Sequence, residues 1–74
     1  MRKVKIGGKY RHFKGMEITV ITIATDTEDL KKYVIYDHDG DIWARPYDMF
    51  ISEVDHKKYP DVKQKYRFEE IKNK

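Results

Sequence analysis

The chain has 74 residues, with no cysteine, six tyrosines, three phenylalanines, one tryptophan and a net charge of +3. This length predicts one small domain, residues 1–74, which buries only about 60% of its unfolded surface and depends on aromatic packing. The composition excludes a disulfide framework, a thiolate zinc site and a membrane span of about 20 apolar residues, so we expect a cytoplasmic protein without metal, cofactor or membrane contact.

The first predicted strands occupy the N-terminal third of the chain. Residues 1–7 are expected to be a flexible arm or a short edge strand that ends at a pair of glycines. Residues 9–13 alternate and place Tyr10 and His12 on the same face. After a Lys-Gly turn, residues 16–25 form the longest β-prone run, because their many β-branched side chains disfavour a helix.

This long run changes the face on which its apolar residues lie. Ile18 and Val20 share one face of an extended strand, whereas Ile21 and Ile23 share the other. A flat, half-exposed sheet does not use this pattern, but a strand with a bulge or a sharp bend does. The pattern therefore predicts a strongly curved sheet.

The middle of the chain predicts a hairpin followed by a helical turn. A polar connection over residues 26–29 leads to a strand over 32–36. Residues 37–41 contain an Asp-Gly pair, a strong signal for a hairpin turn, and a return strand follows over 42–45. Pro46 ends this strand, and we expect one helical turn over the next three residues.

The last part of the chain predicts a return to the core. Residues 50–54 are expected to form a short strand, 55–65 a charged loop, and 66–71 a final strand or short helix with docked apolar side chains. Residues 72–74 are expected to be a disordered tail. The fold class is therefore mainly β, either a small SH3-like barrel or a strongly bent antiparallel sheet with one short helical turn.

Several motifs in this order resemble one protein family. They are Gly-Lys-Tyr-Arg-His-Phe-Lys-Gly at 8–15, Val-Ile-Tyr at 34–36, Trp-Ala-Arg-Pro at 43–46, Met-Phe at 49–50 and Tyr-Arg-Phe at 66–68. Together they resemble the small bacterial family catalogued as domain of unknown function 1653. The resemblance implies a stand-alone cytoplasmic β domain with no assigned activity.

Charge is distributed unevenly along the chain. Residues 1–15 contain six basic residues and no acidic one, whereas residues 16–54 contain nine acidic and three basic residues. Residues 55–74 are again basic, with seven bases and four acids. The basic ends either only solubilise the chain or meet in one basic face that favours polyanions.

The candidate ligand-binding residues combine flat rings with cations, and they are Tyr10, His12, Lys14, Trp43, Arg45 and Tyr47. Rings stack on nucleic-acid bases, at about 1–3 kcal/mol each, and cations neutralise phosphates. If Ile42 and Ala44 face the core, Trp43 and Arg45 point away from it together. In the alternatives, Trp43 covers the open end of a barrel while Arg45 pairs with an acid, or Trp43 lies in a self-association surface.

The leading hypothesis is a non-enzymatic binding module, monomeric or weakly homodimeric, for nucleic acid or for a protein or peptide. The alternative is a small-molecule-binding domain or a small enzyme, with His12 as acid or base and Arg45 as an anion clamp. The ordinary pKa of histidine, near 6.5, suits proton transfer. However, the only serine is Ser52 and no nucleophile motif is present. A deep cleft that contains His12 and Arg45 favours the alternative, and a flat basic face favours nucleic acid.

Overall fold

The computed structural model describes residues 3–72. The elements in chain order are β1 (Lys9–His12), β2 (Glu17–Thr25), β3 (Lys32–His38), β4 (Asp41–Pro46), α1 (Tyr47–Phe50) and β5 (Phe68–Glu70). The strands form one open antiparallel sheet in the order β4-β3-β2-β1-β5. The predicted mainly β fold with a single helical turn is confirmed. No helix within residues 3–72 is long and apolar enough to cross a membrane.

The sheet is strongly bent. Two strands, β2 and β1, separate β3 from β5, so a flat sheet would place β3 and β5 about 14 Å apart. Nevertheless the rings of Tyr36 on β3 and Phe68 on β5 lie only 5.9 Å apart. The sheet therefore curls around its inner face, as one of the two predicted forms requires. The closer likeness to an SH3-like barrel stays a prediction.

A bulge in β2 contributes to this bend. The register between β2 and β3 shifts between Val20 and Thr22, which leaves Ile21 as an extra residue, 45% exposed. Beyond the bulge Ile23 pairs with the buried Val34 and so returns to the inner face that Val20 occupies. The predicted bulge is confirmed, but Ile21 does not share a face with Ile23.

The hairpin between β3 and β4 turns at Asp39 and Gly40. Both residues have positive φ, 53° and 87°, as the tight turn that joins right-twisted strands requires. The side chain of Asp37 accepts a hydrogen bond of 2.8 Å from the backbone N–H of Gly40. The predicted Asp-Gly hairpin is confirmed, and its short turn sets the register of β4.

The core lies between the inner face of the sheet and α1. Phe50 is fully buried and stacks on Phe68, with ring centroids 4.3 Å apart and planes 6° apart. Tyr10 meets Phe50 edge to face at 5.3 Å. Aliphatic side chains of β2 and β3, Ile18, Val20 and Val34, complete the buried cluster. Aromatic packing therefore fills the core, as the composition predicts.

The segment after α1 differs from the prediction. Residues 50–54 do not form a strand, because Phe50 is the last residue of α1 and Glu53 makes only an isolated bridge to Tyr66. A helical turn that starts after Pro46 points Phe50 into the core, which an extended continuation of β4 could not do at this position. The predicted final segment does form a strand, β5, and its first residue, Phe68, is docked at 1% exposure.

The described part of the predicted arm, residues 3–7, forms no strand and contacts the domain. The backbone N–H of Lys5 donates to the hydroxyl of Tyr10 at 2.8 Å, and that of Val4 donates to the hydroxyl of Tyr47 at 3.3 Å. Val4 also packs against the core. The first two residues of the predicted arm, and the last two of the predicted tail, lie outside the described residues.

Candidate functional site

Trp43 and Arg45 lie on the inner face of the sheet. Trp43 pairs with the buried Tyr36 across β3 and β4, and residues that pair in antiparallel strands share a face. Ile42 and Ala44 are exposed on the outer face. The expectation that Trp43 and Arg45 point away from the core is therefore wrong. The turn of the hairpin fixed the register, and a shift of one residue exchanges the two faces of a strand.

The inner face is not filled around Trp43 and Arg45, and we call this part of it the β4 end. A cavity of about 190 Å³, which we call the ring cavity, is lined by His12, Met16, Ile18, Tyr36, His38, Trp43, Arg45 and Phe68. It brings together three predicted site residues that come from β1 and β4, strands that do not pair with each other. Pockets for drug-sized ligands are usually larger, about 300–1,000 Å³. The size of the ring cavity suits one flat ring.

Arg45 brings an uncompensated charge to the wall of this cavity. Its guanidinium carbon lies 5.3 Å from the centroid of the Phe68 ring. Its Nε atom is buried and has no hydrogen-bond partner, and no carboxylate among residues 3–72 lies within ion-pair distance of it. The alternative in which Arg45 pairs with a nearby acid is therefore wrong for residues 3–72. A buried donor without a partner is costly, so an acceptor from outside would be bound favourably.

His12 is a hydrogen-bond donor in this environment. It is 7% exposed, and its Nδ1 accepts a hydrogen bond of 3.1 Å from the backbone N–H of Lys14, so the network places the proton of the neutral ring on Nε2. Burial, followed by the charges of Arg45, Arg67 and Lys14, lowers the pKa of His12 to about 4. The imidazole is therefore neutral at pH 7. The lone pair on Nδ1 already accepts the hydrogen bond from Lys14, so His12 has no free lone pair with which to act as a general base.

The other three predicted site residues lie elsewhere. Tyr10 is 3% exposed in the core, and its hydroxyl accepts a hydrogen bond from the chain at Lys5. Tyr47 lies on α1, where its hydroxyl accepts a hydrogen bond from Val4. Lys14 follows β1 and lies beside the ring cavity, with its Nζ 5.6 Å from the centroid of the Tyr59 ring. The structure thus brings His12, Trp43 and Arg45 into one wall and leaves Tyr10 and Tyr47 outside it.

Sequence reasoning missed the residues that complete the cavity. Tyr36 and Ile18 lie on buried faces of β3 and β2, and Phe68 is the first residue of β5. The Tyr-Arg-Phe motif at 66–68 predicted a docked segment, but the pairing of Phe68 with His12, which places both on one face, is visible only in the structure. No group of three His, Asp or Glu side chains among residues 3–72 could hold a metal ion.

A family model described as "Protein of unknown function (DUF1653)" matches residues 8–70. The chain belongs to this family. Every residue that lines the ring cavity lies within the DUF1653 match. No curated protein and no solved structure matches the chain.

Proposed function

We propose that this DUF1653 protein is a small, non-enzymatic binding module for single-stranded nucleic acid, and that the ring cavity receives one base. The observation that carries this proposal is the position of Arg45, which has no ion-pair partner among residues 3–72 and lies over an aromatic ring in the wall of an open cavity. A nucleic-acid base has a flat ring with hydrogen-bond acceptors on its edge, and a phosphate lies close by. The cysteine-free composition supports a cytoplasmic location as part of this proposal.

The ring cavity offers a base both stacking and hydrogen bonds. Trp43 is 51% exposed, so a face of its indole is open to a ligand. Stacking of a base on an aromatic side chain contributes about 1–3 kcal/mol. The guanidinium of Arg45 and the Nε2–H of His12 supply donors at the same cavity. These features together match a nucleotide better than an uncharged aromatic ligand.

The second candidate is a small-molecule-binding domain, of which a free nucleotide is the nearest case. It is favoured by one observation: His12 and Arg45 line the same concave cavity, as this alternative requires. An acid–base role for His12 receives less support. Its Nδ1 lone pair is occupied by the Lys14 amide and its pKa is about 4, so it donates a hydrogen bond at pH 7 rather than accepting a proton.

An NMR titration of labelled protein tests the proposal. Short single-stranded DNA and RNA, a mononucleotide and an aromatic peptide are added in separate arms, at low and at higher salt. We expect the indole N–H of Trp43 and the Nε–H of Arg45 to shift together with the oligonucleotides, with an affinity that falls as salt rises. Trp43→Ala and Arg45→Met should each weaken binding at least about tenfold.

The matched control is Arg11→Met. Arg11 lies on the outer face, is exposed and pairs with Glu17 at 3.2 Å, so its loss should leave oligonucleotide binding unchanged. Equal affinity for the mononucleotide would assign the cavity to a small molecule instead. Shifts with the peptide alone would assign it to a protein partner, and no shift in any arm would overturn the proposal.

A further inference from the structure

A second concavity, which we call the basic groove, adjoins the ring cavity. The two share His12, Met16 and Arg45 in their walls. The charged residues of the basic groove are four cations and one carboxylate, Lys14, Arg45, Lys58, Arg67 and Asp55. This concentration of positive charge follows from the fold, because the cations come from the β1–β2 turn, β4, and the segment between α1 and β5.

We propose that the basic groove is a phosphate-binding site, which holds the phosphate of a nucleotide whose base occupies the ring cavity. The assignment of this phosphate to a nucleotide rests on the proposed function. Arginine forks match phosphate oxygens in two-pronged hydrogen bonds, and lysine adds a point charge. A groove with two residues of each type and a single acid therefore suits an anion with several oxygens.

Within residues 3–72 the cations of the groove have no acidic partner, and Arg67 Nε donates a hydrogen bond of 3.3 Å to the neutral hydroxyl of Ser52. Among residues 3–72 no carboxylate lies within ion-pair distance of any of the four. One oxygen of the Asp55 carboxylate, Oδ1, accepts hydrogen bonds within its own turn from the backbone N–H groups of Lys57 at 3.1 Å and Lys58 at 3.3 Å. Asp55 thus organises the loop that presents Lys58 and leaves the groove positive.

Aromatic rings position two of these cations together. Lys14 Nζ lies 5.6 Å and Lys58 Nζ 5.5 Å from the centroid of the same ring, that of Tyr59. The Tyr59 ring packs on Phe13 at 5.0 Å, which anchors it to the end of β1. Cation–π contacts attract ammonium groups to the ring. Two like charges are thereby brought to one wall of the groove. An anion bound between them would reduce their mutual repulsion.

His12 lies between the two concavities and reports on the charge of the groove. Arg45, Arg67 and Lys14 all act on it, after burial, to lower its pKa. An anion bound among these three cations offsets their effect and favours the protonated ring, so it raises the pKa of His12. This response distinguishes occupancy of the groove from a change elsewhere on the surface.

The experiment is a pH titration of the His12 ring by NMR, in inorganic phosphate and in sodium chloride of equal ionic strength. We expect the pKa of His12 to rise from about 4 towards 6.5 in phosphate only, with saturable shifts at Lys14 and Arg67. Lys14→Met and Arg67→Met should each weaken phosphate binding at least about fivefold. Lys31→Met, at an exposed position of the β2–β3 connection, is the matched control and should change nothing. Equal behaviour in phosphate and chloride would overturn the proposal.

A second comparison separates this inference from the proposed function. The affinity for an oligonucleotide is compared with that for a peptide nucleic acid of the same bases, which has no phosphate. We expect the uncharged strand to bind at least about tenfold more weakly. Equal binding through Trp43 would leave the base-binding module intact and reject the phosphate site. Phosphate binding at the groove without any oligonucleotide binding would support the groove and reject the proposed function.

Discussion

The two ends of the inner face use aromatic residues in opposite ways. At the end covered by α1, Phe50 stacks on Phe68, and both are fully buried. At the β4 end, Trp43 is half exposed beside a cavity, and Arg45 has a buried donor with no partner in the described part of the chain. Phe68 belongs to both ends, since Phe50 and Arg45 each contact its ring.

The contrast matters because the domain is small. A chain of this length has little buried surface to spare, and an unfilled space forfeits packing that a larger side chain could supply. We therefore expect substitutions at the α1 end to lower the free energy of unfolding more than substitutions at the β4 end.

Phe50→Ala should be the most destabilising of the substitutions considered. Phe50 is fully buried and contacts Phe68, Tyr10 and Tyr36, so its truncation leaves a cavity that costs about 3–5 kcal/mol of unfolding free energy. In a marginally stable domain, a loss of that size leaves a large fraction of the molecules unfolded. Urea unfolding followed by circular dichroism measures it. A loss of only a few tenths of a kcal/mol would show that the α1 end is not the stabilising one.

The stability of the domain should depend on pH through His12. Its pKa is about 4 in the folded protein against 6.5 in the reference state, so the unfolded chain binds more protons between these two values. The free energy of unfolding therefore decreases as pH falls from about 6.5 to about 4. Urea midpoints over this window measure the slope.

A substitution separates His12 from the carboxyl groups that also titrate at low pH. In His12→Gln the slope between pH 5 and 6.5 should become flatter, whatever the change in stability at pH 7. His56→Gln, in the exposed loop before β5, is the control and should retain the slope. An unchanged slope in His12→Gln would mean that protonation of His12 does not cause the loss of stability at low pH.

Trp43→Ala should cost less than Phe50→Ala although the side chain is larger. About half of the Trp43 surface remains exposed, so we expect a loss of about 1–2 kcal/mol. The same urea experiment compares the two variants directly. A loss equal to that of Phe50→Ala would remove the distinction between the ends and make Trp43 a core residue.

Arg45→Met should change stability least, within about 1 kcal/mol in either direction. The methionine keeps much of the packing on Phe68, and no ion pair among residues 3–72 is lost. The substitution removes a positive charge near His12, so the pKa of His12 should rise. Unfolding of the variant would instead assign Arg45 a structural role and remove the anchor of the proposed site.

Much of the fold follows from local patterns. The parity change in residues 18–23 predicted the bulge, and Asp39-Gly40 predicted the hairpin, because both signals act over a few neighbouring residues. The strand expected over 50–54 was wrong, since its apolar residues fit a strand as well as the end of a helical turn. Only the docking of Phe50 against Phe68 decides between the two.

The site was less accessible to sequence reasoning. His12, Trp43 and Arg45 were chosen for their chemistry, and they do line one cavity. Tyr10 was chosen for the same reason and lies in the core, because composition says nothing about which ring faces solvent. Arg67 and Lys58 were not chosen, since their approach to His12 and Tyr59 depends on the path of the loop before β5.

The sequence by itself determined the class of fold, the curvature of its long strand and the supply of rings and cations, because these depend on residue type and short spacing. The tertiary structure alone decided which face of β4 turns inward and which rings remain open. The register of a hairpin exchanges the two faces with a shift of one residue, and the bend of the sheet brings β4 and β5 to the same cavity. Both are properties of contacts between distant segments.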